Sequence, residues 1–294
     1  MLPRYPVFVI SKGRADCCLT ARFLVADGCP FKLAVEPQEE CEYRKLYGDH
    51  VIVTPFSNLG QGSIPVRNWV WDQAIKMGAE RHWCVDDNIY RIRRLVGRRR
   101  LPCAAGPALA CVEDFADRYT NLALVGLNYQ FFVVPSGNAK IPPFWHNVHV
   151  YSAILIQNDL PFRWRGRYNE DTDLSLQVLS SGLCTVLINT FMIQKVATMT
   201  MKGGNTADLY RDDGRAKMAR SLERMWPGVV TTKRRFKRPQ HVIKNQWRGF
   251  DTPLIWKPGV EKPTGVNEYG MTLKELKPAK SEALHNLVAE RREG

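Results

Sequence analysis

Short apolar runs alternate along this chain with longer segments in which apolar residues recur every three or four positions. Val7-Phe8-Val9-Ile10 has the look of a buried strand. Val66, Trp69, Val70, Ala74 and Met77 mark one face of a helix that Ser63 and Pro65 open and Gly78 closes. Followed along the chain, the two periods predict strands near 6–10, 31–35, 50–53, 81–85, 129–134, 148–156 and 184–188. Helices are predicted near 16–27, 37–47, 63–77, 111–118, 171–181 and 207–225. Such alternation predicts an α/β fold, a sheet flanked by helices, and 294 residues suffice for one large domain. After about Asp251 the chain turns rich in Lys, Pro and Gly, followed by a helical pattern from Thr272 to Arg292 that Pro278 interrupts. The expected organisation is one domain over 1–250 and a basic, Pro-rich extension over 251–294.

The polar interruptions carry the chemistry. Trp83-Cys84-Val85-Asp86-Asp87-Asn88-Ile89 is an apolar run ending on two carboxylates and an amide, which delivers oxygen ligands to the carboxyl edge of a sheet. Such a pair suits Mg²⁺ or Mn²⁺ held jointly with substrate phosphates. The same three residues also suit a plain turn or helix cap. Upstream, Gly60-Gln61-Gly62-Ser63 opens the helix that carries Arg67 and Asn68, an arrangement that offers N–H groups and a guanidinium to an anion. Ser11-Lys12-Gly13-Arg14 forms the polar loop after the first strand. Loop, glycine-rich turn, helix, strand and acid pair follow in the order of a nucleotide site along one sheet edge.

Ile10-Ser11-Lys12-Gly13-Arg14, Pro65-Val66-Arg67-Asn68, Val85-Asp86-Asp87-Asn88-Ile89 and Asn169-Glu170-Asp171-Thr172-Asp173-Leu174 together resemble a glycosyltransferase of the GT-A fold. More narrowly they resemble the phage and viral TET-associated glycosyltransferases, linked to sugar addition on 5-hydroxymethylpyrimidines in DNA. The likeness spans roughly residues 1 to 250. It implies a Rossmann-like mixed sheet flanked by helices and a UDP-sugar donor held by Ser11, Lys12, Arg14, Gly62, Arg67, Asn68 and Asp86. It implies Mn²⁺ or Mg²⁺ on Asp87 with Asp86, and a late histidine ligand at His241. The third position of the Asp-x-Asp element is here Asn88, which leaves open which aspartate binds the ion directly. The resemblance also makes Asp171, and after it Glu170, the base that takes the acceptor proton. Without the resemblance, acidic residues in that first turn simply complement a helix dipole, and Asp173 orients the helix start. His146 and His149 are rivals to His241, or line the acceptor cleft.

The formal net charge of +13 adds a partner. Arg91, Arg93, Arg94, Arg98 and Arg99 follow the acid pair, with Arg100 behind them. Arg163, Arg165 and Arg167 flank Trp164, and Lys233-Arg234-Arg235-Phe236-Lys237-Arg238 precedes His241. A polyanionic acceptor such as DNA is drawn to such clusters, and Trp145, Trp164, Phe236 and Trp247 offer stacking surfaces for a base. The bland alternative is solvated charge. Eight cysteines, none in a Cys-x-x-Cys pair, favour reduced buried thiols. No apolar run reaches the roughly 18 residues of a membrane helix, and Met1–Pro6 shows no signal-peptide pattern, so a cytoplasmic location is expected, in the bacterial host if phage-encoded. Lys202-Gly203-Gly204-Asn205-Thr206 reads as a loop over the donor phosphates or a plain connection. The leading expectation is therefore a metal-dependent transfer of sugar from a UDP-sugar to 5-hydroxymethylcytosine in DNA. A transferase acting on a glycan or small metabolite, and a nucleic-acid-binding module with a degenerate site, are the alternatives.

Overall fold

The computed structural model describes residues 1–134, 141–196, 203–204, 214–235, 238–261, 264–266 and 272. Its centre is a mixed sheet of ten strands, built from β1 (Val7–Ile10), β2 (Lys32–Val35), β3 (Val51–Val53), β4 (Arg81–Asp86), β5 (Ile89–Val96), β6 (Arg99–Cys103), β7 (Leu122–Tyr129), β8 (Phe144–His146), β9 (Ala153–Gln157) and β10 (Cys184–Lys195). The order is β3-β2-β1-β4-β9-β7-β10-β5-β6, with β8 beside β10. β3, β2, β1 and β4 run parallel, β9 runs against both β4 and β7, and β7 and β10 are parallel again. The carboxyl ends of β1, β4, β7 and β10 and the start of β9 therefore meet at one edge, where a sheet of this kind binds ligands.

Period-two alternation sorts the core into two layers. Val7, Val9, Leu33, Val35, Trp83 and Val85 face helices α1 (Leu19–Ala26), α2 (Glu40–Tyr47) and α4 (Ala105–Ala116). Phe8, Ile10, Ala34, Cys84 and Ile154 face α3 (Ile64–Lys76) and α5 (Glu170–Ser180). This is the Rossmann-like α/β architecture expected, a mixed sheet flanked by helices. A second small sheet, β11 (Val230–Arg235) with β12 (Arg238–Ile243), packs with α6 (Gly214–Met225) on Leu176 of α5. Beyond Asp251 the chain first returns to the main domain. Asn121 donates to the Pro253 carbonyl at 2.8 Å, and Trp256 packs on Tyr119 at 4.9 Å between rings. The helical pattern expected from Thr272 lies, past Thr272 itself, outside the described residues, as does the 207–213 part of the helix expected over 207–225.

Three expectations are corrected. The strand expected over 129–134 is β7, at Leu122–Tyr129. Gly126 disguises it, and it is glycine because an added Cβ would lie 2.9 Å from the Val150 side chain. Phe131–Val134 instead form a turn, in which the Phe132 amide donates to the Tyr129 carbonyl. Helix α4 begins at Ala105, not near 111, because Pro107 falls in the first turn, where its missing N–H costs nothing. The arginine-rich stretch after the acid pair, expected as a charged surface only, is the β5–β6 hairpin, closed by Gly97-Arg98 with Gly97 at φ 58°.

All eight cysteines are reduced thiols, and Cys18, Cys29, Cys84, Cys111 and Cys184 are buried. Among the described residues no helix is long and apolar enough to cross a membrane.

One core residue makes the fold acid-sensitive. His82 on β4 is fully buried beside Trp71, with Nδ1 2.6 Å from the Asn158 side-chain oxygen, and burial pushes its pKa down to about 4. A histidine depressed in the folded state contributes stability above its unfolded pKa of about 6.5, and that stability is lost as pH falls toward 4. Between those limits the loss is expected to be on the order of 3 kcal/mol. Thermal melts of wild type and His82→Gln from pH 7.5 to 4.5 check this. The variant should lose less of its melting temperature over that interval, and parallel curves would remove His82 as the cause.

Candidate active site

The two aspartates of the acid pair part company. Asp86 ends β4 on the α3 side, and Asp87, first residue of the turn that follows, points toward the Ser11–Arg14 loop instead. Asp87 is enclosed: Arg14 Nη1 lies 2.6 Å from one oxygen, and Ser11 Oγ donates to the other at 2.7 Å while meeting Tyr43 Oη at 2.7 Å. Burial pushes its pKa up, and Arg14 and Ser11 offset this only in part. Asp86 looks into the cleft. It accepts from Arg67 Nη2 at 2.9 Å and from Lys195 Nζ at 3.4 Å. Burial works to raise its pKa, but Lys195 and Arg67 prevail and hold it below the usual carboxylate range.

Arg67 is the keystone of this edge. Buried in the first turn of α3, it reaches Asp86, Ser63 Oγ at 3.2 Å, Cys84 Sγ at 3.2 Å and Glu170 at 3.5 Å, and stacks on Trp164 with its guanidinium 4.6 Å from the ring. Trp164, expected as a base platform, is thus a core residue. Asn68 clamps that segment, donating to the Trp164 carbonyl at 2.9 Å and accepting its amide at 3.0 Å.

Across the cleft, α5 presents its acidic first turn. Glu170 accepts from Ser63 Oγ at 2.8 Å; burial, and then Asp171, push its pKa up against the pull of Arg67. Asp171 accepts the Thr172 amide at 2.7 Å and lies 3.3 Å from His149 Nε2, with 31% of its side chain exposed. Burial would raise its pKa, but the His149 charge and hydrogen bond, the Thr172 amide and Arg67 hold it well below the carboxylate range. Asp173, fully buried, binds Arg165 at 3.0 Å and Trp226 Nε1 at 2.7 Å, tying α5 to the segment after α6.

Several residues here carry no signal in the sequence. Lys195, the last residue of β10, is brought by strand register to Asp86, Ser152 Oγ at 3.0 Å and Tyr129 Oη at 3.4 Å. Ser152 reaches that point through a left-handed backbone, φ 60°, a strained conformation for a residue with a Cβ. Rings continue the wall: Tyr129 stacks on Tyr151 at 4.3 Å, Tyr151 meets His149 edge-on at 5.1 Å, and Trp247 lies parallel to His149 at 6.2 Å.

A recess is lined by Lys12, Glu36, Phe56, Asn58, Gly62 and Val66, between the loop after β1 and the start of α3. Lys12 bridges Glu36 at 2.8 Å and Asn58 at 3.0 Å. Of the expected nucleotide residues, then, Lys12 and Gly62 line open space, while Ser11, Arg14, Arg67 and Asn68 form the frame beneath it. Of the expected loop 202–206, Gly203 and Gly204 are described, and they sit on the Ser11–Arg14 loop. Gly203 accepts from Arg14 at 3.1 Å, and the Gly204 amide donates to Lys12 at 2.8 Å. A Cβ on Gly203 would fall on the Gly13 carbonyl, so that approach requires glycine.

A divalent ion at this edge would rest on one carboxylate, Asp86, and would displace Arg67 or Lys195 from it. Asp86 faces the cleft and stays ionised, and Mg²⁺ or Mn²⁺ is commonly held by one or two carboxylates plus substrate phosphates. Both aspartates accept on both oxygens, Asp87 from Arg14 and Ser11 and Asp86 from Arg67 and Lys195, but Asp87, expected as the leading ligand, is enclosed while Asp86 opens on the cleft. His241, on β12, lies in the electrostatic range of His149 and Asp171, across the cleft from Asp87. Among the described residues no three His, Cys, Asp or Glu side chains are arranged to hold an ion. His146 lies on β8.

The basic residues divide in the same way. Arg91, Arg98 and Arg99 are exposed on the β5–β6 hairpin, while Arg93 is tied to Gln194 and the Arg100 carbonyl, each at 2.8 Å, and Arg94 is half-buried. Arg163 stacks on Trp71 at 4.9 Å and donates to the carbonyls of Leu160 and Phe162, and Arg165 pairs with Asp173, so both brace the fold. Lys233 and Arg234 are exposed on β11; the Arg235 side chain and Phe236-Lys237 lie outside the described residues.

The family model for TET-associated glycosyltransferases matches residues 5–204, more than half of the chain. Among solved structures, a mannose-1-phosphate geranyltransferase from Thermus thermophilus matches with 13% identity and a TM-score of 0.32, covering 85% of this chain and 68% of that one. No curated protein matches.

Proposed function

The chain belongs to the TET-associated glycosyltransferase family, and from that premise we propose that it moves a sugar from a UDP-sugar to the hydroxyl of 5-hydroxymethylcytosine in DNA. Membership makes it a glycosyltransferase; the donor, the acceptor base and the steps below are our reading. The observation that carries it is the division of the cleft. Lys195 and Arg67 gather cationic charge around Asp86 on one side, and an ionised Asp171 stands among aromatic rings on the other.

In this reading the recess of Lys12, Phe56, Asn58 and Gly62 takes the nucleoside, and Lys195 meets the diphosphate. Mn²⁺ or Mg²⁺ on Asp86 would add neutralising charge for the departing nucleotide. Asp171 accepts the proton of the hydroxymethyl group as its oxygen forms a bond to the anomeric carbon. The bond from that carbon to the diphosphate breaks, and UDP carries the electron pair away. Glu170, held by Ser63 and Arg67, keeps the donor side of the cleft in register. One displacement with one base inverts the anomeric centre. Exposed Arg91, Arg98, Arg99, Lys233 and Arg234 attract the DNA backbone without choosing its sequence.

The test incubates the protein with Mn²⁺, a panel of UDP-sugars and DNA carrying either 5-hydroxymethylcytosine or cytosine, then digests the DNA and weighs its nucleosides. We expect a hexose- or N-acetylhexosamine-sized gain on the hydroxymethylated base only, reduced about a hundredfold or more in Asp86→Asn. Release of UDP with no gain on DNA would move the acceptor to a glycan or small metabolite. Tight DNA binding with neither release nor transfer would leave a nucleic-acid-binding module.

A further inference from the structure

Two large apolar side chains stand in solvent at the mouth of this cleft. Phe131 is 60% exposed and Phe132 51% exposed, more than any other aromatic ring among the described residues. They are not on a loose loop. The Gln130 amide donates to the Ile193 carbonyl at 3.0 Å, Arg100 donates to the Gln130 carbonyl at 3.0 Å, and the fully buried Val133 anchors the far side of the turn. A protein gains nothing for its own stability by holding two rings rigidly in water, so a fixed, exposed aromatic pair marks a contact surface.

The position of the pair identifies its chemistry. Phe131 stacks on Tyr129 with centroids 5.2 Å apart and planes 22° apart, and Phe132 packs on Phe131 at 4.3 Å. Tyr129 in turn stacks on Tyr151 and turns its hydroxyl to Lys195 and Ser152. The rings thus run without a break from the catalytic edge to the surface. On the other side stands the arginine hairpin. Tyr129 pairs with Ile193 on β10, and Gln194, the next residue, pairs with Arg91 on β5, two strand spacings or about 10 Å away. Flat apolar faces beside guanidinium groups suit a ligand that carries aromatic faces and phosphates together. Among macromolecules that is a nucleic-acid strand with its bases unstacked.

We propose that Phe131 and Phe132 are a stacking platform for the bases flanking the acceptor, and that DNA is engaged in single-stranded or locally opened form, with its backbone along the β5–β6 hairpin. This rests on the glycosyltransferase reading of the cleft for the meaning of "acceptor", but the platform itself binds DNA whether or not transfer follows. A closed duplex buries its base faces in its own stack and offers the rings nothing.

The experiment measures fluorescence anisotropy of labelled oligonucleotides containing 5-hydroxymethylcytosine, single-stranded and duplex, with wild type, Phe131→Ala/Phe132→Ala and Phe131→Leu/Phe132→Leu. Both side chains are exposed, so the variants should fold, and circular dichroism checks it. The wild type should prefer the single strand. The alanine pair should weaken single-strand binding roughly tenfold to a hundredfold, the leucine pair should fail to restore it, and duplex binding should barely change. Equal affinity for both forms, or leucines as good as phenylalanines, would overturn the platform. Absence of transfer alongside ring-dependent binding would count against the proposed reaction and leave the platform standing. Normal transfer with ring-independent binding would do the reverse.

Discussion

Asp171→Asn should lower the rate of transfer by about a thousandfold while leaving donor binding near its wild-type value. Removing a general base costs about 10²–10⁴ in rate, and the amide keeps the shape of the side chain while losing its basicity. Asp171 rather than Glu170 carries this expectation because of what each one touches. Glu170 is engaged by Ser63 and Arg67, on the side of the cleft proposed to take the donor. Asp171 has an oxygen toward His149 and the ring wall and a side chain partly open to the cleft. Glu170→Gln should therefore act on the Michaelis constant for the donor more than on the limiting rate. A larger rate loss in Glu170→Gln than in Asp171→Asn would exchange the two roles. The His149 charge, working against burial, holds Asp171 well below the ordinary carboxylate range, and this sets the sign of a second effect. Replacing His149 with Gln removes that pull, the Asp171 pKa rises, and the acid limb of the pH–rate profile moves to higher pH. A limb that stays where it was would mean that another group is the base. Transfer measured by UDP release and by nucleoside mass, with donor binding followed by calorimetry, separates these outcomes.

The frame of this site was legible in the sequence because it is local. Strand β1 and its loop, the glycine-opened α3, strand β4 with its acid pair, and the acidic start of α5 each declare themselves within a dozen residues. What escaped depends on register between distant segments. Lys195 enters the site only because β10 runs past Ile188 to pair with β5, and nothing around it distinguishes that lysine from a surface one. Ser152 and Tyr129 are there because the left-handed turn at Ser152 and the end of β7 meet over Lys195. The inward-facing members of the set have the same root. Asp87, Arg14, Asn68 and Trp164 have the residue types of a binding site, yet the Arg14–Asp87 pair and the packing of α3 on Trp164 hold them inside the protein. Asp86 closes β4 while Asp87 belongs to the turn after it, and where the strand stops is the boundary that a run of apolar and acidic letters leaves open. The arginine hairpin was hidden by charge, although Gly97 between two alternating runs is a hairpin signal.

Arg67→Met should cost more stability than any single substitution at the cleft surface, about 3–5 kcal/mol, and abolish transfer as well. The guanidinium is buried, and it is the shared partner of Asp86 and Glu170, with Asp171 also within its field. Methionine fills the volume and keeps contact with Trp164, so a cavity is not the cause of the loss. The cause is two carboxylates left in a half-buried pocket with Lys195 as the remaining cation beside Asp86. Arg67→Lys retains one positive charge but not the fork that reaches Asp86, Ser63 and Glu170 at once, and should fall between. The energetic argument makes a further demand. If the loss comes from uncompensated charge, then adding Asp86→Asn and Glu170→Gln to Arg67→Met should return much of the stability, because the orphaned carboxylates are gone. Activity should not return with it, since the diphosphate side of the cleft has lost its arrangement. Urea unfolding of the single, double and triple variants measures the coupling. A triple variant no more stable than Arg67→Met would mean that Arg67 holds the edge by its stacking on Trp164 and its bond to Cys84, and that the charges around it are incidental.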